Sequence, residues 1–178
     1  MNTTPRLCVE LNGCIANNLG FMGMPTFVPA NVQTLPVIGS IEALAWLNGP
    51  FAYAGEVHVT VKSEDSEFYE LAMRWLQSEH FFVRTGLSDD SIHCYETVDE
   101  LAKLASGLHP TIAVCAHVEP LLQFLLADTQ ILLDPHDALS HEYREAHQNI
   151  RGSRIVRVAS WREIMHSCTD SLSNTTPT

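Results

Sequence analysis

Two hydrophobic rhythms alternate along this chain. Short apolar runs, several of them β-branched, are separated by stretches in which apolar residues recur every three or four positions. The runs at 6–11, 57–61, 91–95, 111–116, 131–133 and 155–158 have the length and composition of strands. The clearest helical period follows the second run. Phe68, Leu71, Ala72, Trp75 and Leu76 fall at i, i+3, i+4, i+7 and i+8 and so share one face. Glu64, Asp65 and Glu67 lead into it, where the positive end of a helix dipole favours carboxylates. Further helices are expected over 38–47, with Ile38, Ile41, Leu44 and Ala45 on the inner side, and over 119–126. Thr97-Val98-Asp99-Glu100 and Ser160-Trp161-Arg162-Glu163 each have the form of a capping box and predict two more helix starts.

Strands that alternate with helices predict an α/β fold: a three-layer, Rossmann-like, mostly parallel sheet with helices on both faces. The 178 residues suffice for one domain, placed at 1–166, with a Ser/Thr-rich flexible tail at 167–178. One long irregular stretch, 17–36, is punctuated by Gly and Pro and reads as a functional loop or a minimal, vestigial cap. Its apolar cluster of Phe21, Met22, Met24 and Phe27 is expected to pack on its own domain, a lid or partner contact being the alternative. Trp46 and Trp75 are expected in the core.

Charge and cysteine content narrow the function classes. A formal net charge of −11 argues against a phosphate-neutralising surface, so no nucleic-acid partner is expected. The five cysteines, Cys8, Cys14, Cys94, Cys115 and Cys168, form no CxxC pair, which argues against a disulfide framework or a zinc knuckle. The first residues lack an apolar signal region, and the apolar stretch 121–133 is broken by Gln123, Asp128 and Gln130, so no membrane span is expected. The expectation is a cytoplasmic protein with reduced thiols.

In an open parallel sheet, ligands bind beyond the carboxyl ends of the strands. That rule selects Glu10 and Asn12 after the first strand, Thr60 to Ser63 after the second, and Cys115, Ala116 and His117 after the fourth. Near a helix N-terminus an accessible Cys115 thiol would be reactive; as a buried residue it is a small hydrophobe, and the second role is expected. Cys115, His117, Glu10 and Cys14 are also donor types for a soft metal, although no ligand spacing demands one. His93-Cys94 is not expected to join them, and His136, His141 and His147 read as surface residues. Asp134-Pro135-His136-Asp137 reads as a strand-terminating turn.

Leu7-Cys8-Val9-Glu10-Leu11-Asn12-Gly13-Cys14-Ile15 resembles the nucleophile loop of the haloacid dehalogenase (HAD) superfamily, Asp-x-Asp-Gly-Thr, with Glu10 and Asn12 at the two aspartate positions. Further segments resemble its small nucleotidase-like branch in the same order. They are 37–44 for the helix after the cap, 57–63 for the second-motif strand, Arg74-Trp75-Leu76 for the following helix, 131–137 for the Leu-Phe-Asp-x-Pro-Tyr-Asn segment, and 155–164 for the closing strand and helix.

The resemblance implies a phosphatase site with two aspartates, a second-motif hydroxyl, a lysine, and an acidic pair that holds magnesium with the nucleophile. Matched position by position, Glu10 retains a carboxylate moved by about 1.5 Å, the length of one added C–C bond. Asn12 has no proton to give or take near neutral pH. Cys115 and Ala116 stand at the acidic pair and offer nothing to a hard cation. The lysine falls near Asp99 or Glu100, with Lys103 one turn later, and Thr60 or Ser63 supplies the hydroxyl. The expected function is therefore a HAD-like protein that has lost phosphatase catalysis and acts as a binding or structural module for a small ligand or protein, with no cofactor or metal. The alternatives are an active magnesium-dependent phosphohydrolase of a phosphomonoester or nucleotide using Glu10, with Glu10 the one metal ligand to name, and a thiol or soft-metal site at Cys115.

Overall fold

The computed structural model describes residues 5–17, 34–49, 55–63, 66–134 and 155–173. Within them the chain forms β1 (Arg6–Glu10), β2 (Ala16–Asn17), β3 (Leu35–Pro36), α1 (Ser40–Leu47), β4 (Glu56–Lys62), α2 (Ser66–Ser78), α3 (Phe81–Thr85), β5 (Ile92–Tyr95), α4 (Val98–Leu108), β6 (Ile112–Cys115), α5 (Val118–Leu121), β7 (Thr129–Leu133), β8 (Ile155–Val158) and α6 (Trp161–Ser173). The fold is α/β, with a parallel six-stranded sheet in the order β5-β4-β1-β6-β7-β8. Counted along the chain, this is the doubly wound order 3-2-1-4-5-6, whose topological switch point lies between β1 and β6.

Both sheet faces are covered, which explains why the central strands are apolar at consecutive positions rather than alternate ones. Leu7 and Val9 of β1 and Ile112 and Val114 of β6 pack with α1, α2 and α6 on one face. Cys8, Ala113 and Cys115 point to the other, against Leu101 and Ala105 of α4 and against Leu121 and Phe124. Fully burying a leucine- or phenylalanine-sized side chain stabilises by about 1.5–3 kcal/mol, so these two layers hold the sheet edge to edge.

Both capping patterns form, with one difference from expectation. The Glu100 N–H donates to Thr97 Oγ1 at 3.3 Å and the Glu163 N–H to Ser160 Oγ at 3.4 Å. The returning carboxylates, however, reach one residue further out, to the Glu96 and Ala159 N–H groups at 2.8 and 3.3 Å. The final helix is 13 residues long and continues through Ser173, so the segment assigned to a tail from 167 begins as helix.

Other departures have local causes. The helix expected from Ile38 starts at Ser40, because Gly39 sits in the left-handed region at φ 80° and turns Ile38 outward to 95% exposure. Trp75 is buried and donates its indole N–H to the Thr34 carbonyl at 3.2 Å, but Trp46 is 43% exposed, so of these two tryptophans expected in the core only Trp75 joins it. On α2, Leu71 lies at the margin of the apolar face, 39% exposed. The helix expected over 119–126 stops at Leu121. There the buried Gln130 side chain of β7 donates to the carbonyls of Leu121 and Phe124 at 3.1 and 2.9 Å, satisfying groups that a continuing helix would use itself. The short antiparallel pair of β2 and β3 joins the two ends of the 17–36 stretch. Residues 18–33, and with them Phe21, Met22, Met24 and Phe27, lie outside the described residues, as do Pro135, His136, Asp137, His141 and His147.

Candidate functional site

The switch point is built from the ends of β1 and β6. Residues alternate along β1, so Leu7 and Val9 enter one core layer while Glu10 emerges on the face of Cys8 and Cys115. Glu10 is the last residue of β1 and only 5% exposed. A buried carboxylate needs partners. It has them: Oε2 accepts the Ala116 backbone N–H at 2.9 Å, and Oε1 lies 2.9 Å from Nδ1 of His117, whose side chain is half exposed. A single carboxylate thus bridges the two residues that follow β6.

The loop after β1 is fixed by its own backbone. The N–H groups of Ile15 and Ala16 both donate to the Leu11 carbonyl at 3.0 Å, and the Gly13 N–H donates to the Ala16 carbonyl at 2.9 Å. Gly13 adopts φ 81°, and a Cβ placed on it would lie 2.5 Å from the Ala116 Cβ. Glycine is therefore required twice, for its backbone angle and for the approach of the β1 loop to the end of β6. Outer contacts brace the same loop: the Trp161 indole N–H donates to the Cys14 carbonyl at 2.7 Å, and Ser40 Oγ donates to the Ile15 carbonyl at 3.2 Å.

The sequence-selected residues divide accordingly. Glu10, Ala116 and His117 come together in direct contact. Asn12 sits in the turn, half-buried, bridged to Ala16 through the backbone. Thr60, the register partner of Glu10 on β4, is buried with its hydroxyl 3.5 Å from the Val9 carbonyl. Ser63 is buried just past β4, its N–H on the Tyr95 carbonyl. Lys103 is exposed on α4.

Cys115 is buried beneath the site, and burial first, then the negative charge of Glu10, pushes its thiol well above the ordinary range; Cys14 is raised for the same two reasons. That direction opposes thiolate formation at either residue. Burial and the carboxylates of Glu10 and Glu119 likewise raise the phenol of Tyr95, which keeps it protonated. Among the described residues, no group of three or more His, Cys, Asp or Glu side chains is placed to hold a metal ion.

Two polar contacts were not legible in the sequence. Asp134, 6% exposed at the end of β7, accepts from Arg157 Nη2 of β8 at 2.8 Å. Their pairing needs the β7–β8 register, which crosses a stretch of the chain with no pattern of its own. His58 and His93 meet across β4 and β5, Nδ1 to Nε2 at 3.0 Å. In the sheet β5 is an edge strand, and His93 is far from β6.

No protein-family model matches the chain, and no curated protein matches it.

Proposed function

We propose that this chain is a HAD-like protein whose switch-point site has lost phosphoryl-transfer chemistry and serves as a binding or structural module for a small ligand or a protein partner. The observation that carries this reading is the occupation of both Glu10 oxygens, one by the Ala116 N–H and the other by the His117 imidazole. A nucleophile must present an oxygen lone pair to phosphorus in line with the leaving group, and each oxygen of this carboxylate is instead turned onto the end of β6.

The donor set supports the same conclusion for magnesium. That ion needs octahedral oxygen ligation. At the positions of the acidic pair stand a methyl group and a thiol that burial keeps protonated. The described residues at this site do not fit magnesium. The amide of Asn12 cannot shuttle a proton to a leaving group or from a water. What remains is a rigid junction of two loops with a half-exposed imidazole at its rim. Such a junction can recognise a partner without transforming it.

The test is hydrolysis of an aryl phosphate and a panel of nucleoside monophosphates by purified protein with magnesium, alongside Glu10→Ala. The reading expects no turnover above background in either. Magnesium-dependent turnover that disappears in Glu10→Ala overturns it in favour of an active phosphohydrolase.

A further inference from the structure

We propose that His58 and His93 form a two-imidazole site for a divalent transition-metal ion of the nickel and copper type, on the outer part of the sheet and separate from the switch point. The pair arises from register. Thr60 of β4 is opposite His93 of β5, so His58, two residues earlier on the same face, reaches His93 diagonally. The ring nitrogens His58 Nδ1 and His93 Nε2 lie 3.0 Å apart, with the rings tilted at 46°.

That separation matches two ligands of one ion. Imidazole nitrogens bind such metals at about 2.0–2.1 Å, and two of them 3.0 Å apart subtend about 95° at the metal. A right angle is the cis angle of square-planar and octahedral ions, the geometry of copper(II) and nickel(II). A tetrahedral zinc site wants nitrogens nearer about 3.3 Å. The ion would take its remaining ligands from water, since His93 is on the edge strand.

The surroundings favour the ligand form. Burial lowers the basicity of both rings, outweighing at His58 the opposing pull of the Glu56 carboxylate, so both rings are neutral at pH 7.5. His58 Nε2 is buried without a hydrogen-bond partner by strict geometry, and the Glu56 carboxylate lies 3.5 Å from it. The negative charge of that carboxylate favours the tautomer with its proton on Nε2, which leaves the Nδ1 lone pair available to ligate, as outer-shell carboxylates do for metal-binding histidines. Arg6 in turn pins Glu56, Nε to Oε2 at 2.7 Å. Cys8, the register partner of His58, adds no third ligand, because burial raises its thiol to about 12. Without metal one ring donates to the other. On binding, the proton on His93 Nε2 moves to Nδ1, and the metal sits about 1.4 Å to one side of the line joining the two ligating nitrogens.

The test is calorimetric titration of the full chain with Ni²⁺ at pH 7.5, for wild type, His58→Gln, His93→Gln and Glu56→Gln. The expected result is a one-to-one binding component weakened more than about tenfold by either histidine change and about tenfold by Glu56→Gln, the scale on which outer-shell partners act. Absence of binding, or binding unchanged in both histidine variants (adventitious uptake by other histidines), overturns the proposal. Should the variants melt at low temperature, the wild type suffices. One equivalent of paramagnetic Ni²⁺ should broaden the ¹⁵N resonances of His58 Nδ1 and His93 Nε2 together, ahead of those of the other histidines, and their constancy overturns the proposal equally.

Discussion

Gly13→Ala tests the closure of the switch point at a single atom. The new methyl meets two penalties. At φ 81° an L-residue occupies the left-handed region, at a cost of about 1–2 kcal/mol. Its Cβ would also lie 2.5 Å from the Ala116 Cβ, well inside the roughly 3.5–4.0 Å of a comfortable carbon contact. Ala116 cannot swing aside, because its N–H is bound to Glu10. Relieving overlap in a packed region typically costs about 1–3 kcal/mol, so the total loss is about 2–5 kcal/mol. The two contributions separate in a double-mutant cycle. Ala116→Gly removes the overlap and leaves the backbone penalty, so Gly13→Ala made in that background should cost only about 1–2 kcal/mol, a coupling of about 1–3 kcal/mol. Urea unfolding followed by circular dichroism, with unchanged m-values, reads all four corners. A loss below 1 kcal/mol for Gly13→Ala, or strictly additive variants, would refute the close fit of the β1 loop on the end of β6.

Further outcomes follow from the same contacts. Trp161→Phe strands the buried Cys14 carbonyl, and thermal or urea unfolding should show a loss of about 1–3 kcal/mol. Arg157→Met removes the guanidinium from the buried Asp134 carboxylate and should destabilise by about 3 kcal/mol at pH 7, measured in the same way. His58 and His93 are held below their ordinary basicity in the fold, so their contribution to stability is complete above the unfolded value near 6.5 and is lost as pH falls through the folded values. Metal-free protein should therefore lose stability between pH 7.5 and 5, and a His58→Gln/His93→Gln variant should lose less over that range. With a thiol reagent at pH 8, the exposed Cys94 should react in the native protein, slowly because partial burial lifts its thiol to about 11, while Cys8, Cys14, Cys115 and Cys168 react only on unfolding.

Where periodicity and burial agree, the sequence was a sufficient guide. The six strands of the sheet are rich in consecutive apolar residues because helices cover both faces, and each was found within two residues of its observed bounds. Thr97 and Ser160 announce their helices because capping is local chemistry within four residues. Signals that depend on partners distant in sequence were hidden. Nothing near Leu121 foretells that Gln130 will take its carbonyl. Trp46 is apolar by type, but its place on α1 faces outward. For the site, the strand-end rule brought Glu10, Ala116 and His117 into view. It could not show that the carboxylate would turn onto the Ala116 N–H and His117, since that depends on the β1–β6 register and on the missing Cβ of Gly13. His58 is one of several histidines in the sequence, and only the β4–β5 register singles it out.

The account turns on where the Glu10 carboxylate points when a phosphatase's reagents are supplied. A crystal structure of the protein soaked in magnesium and phosphate measures this directly. The account predicts Glu10 still bound to the Ala116 N–H and His117, with no cation against it; an octahedral ion ligated by Glu10 and Asn12 would contradict it.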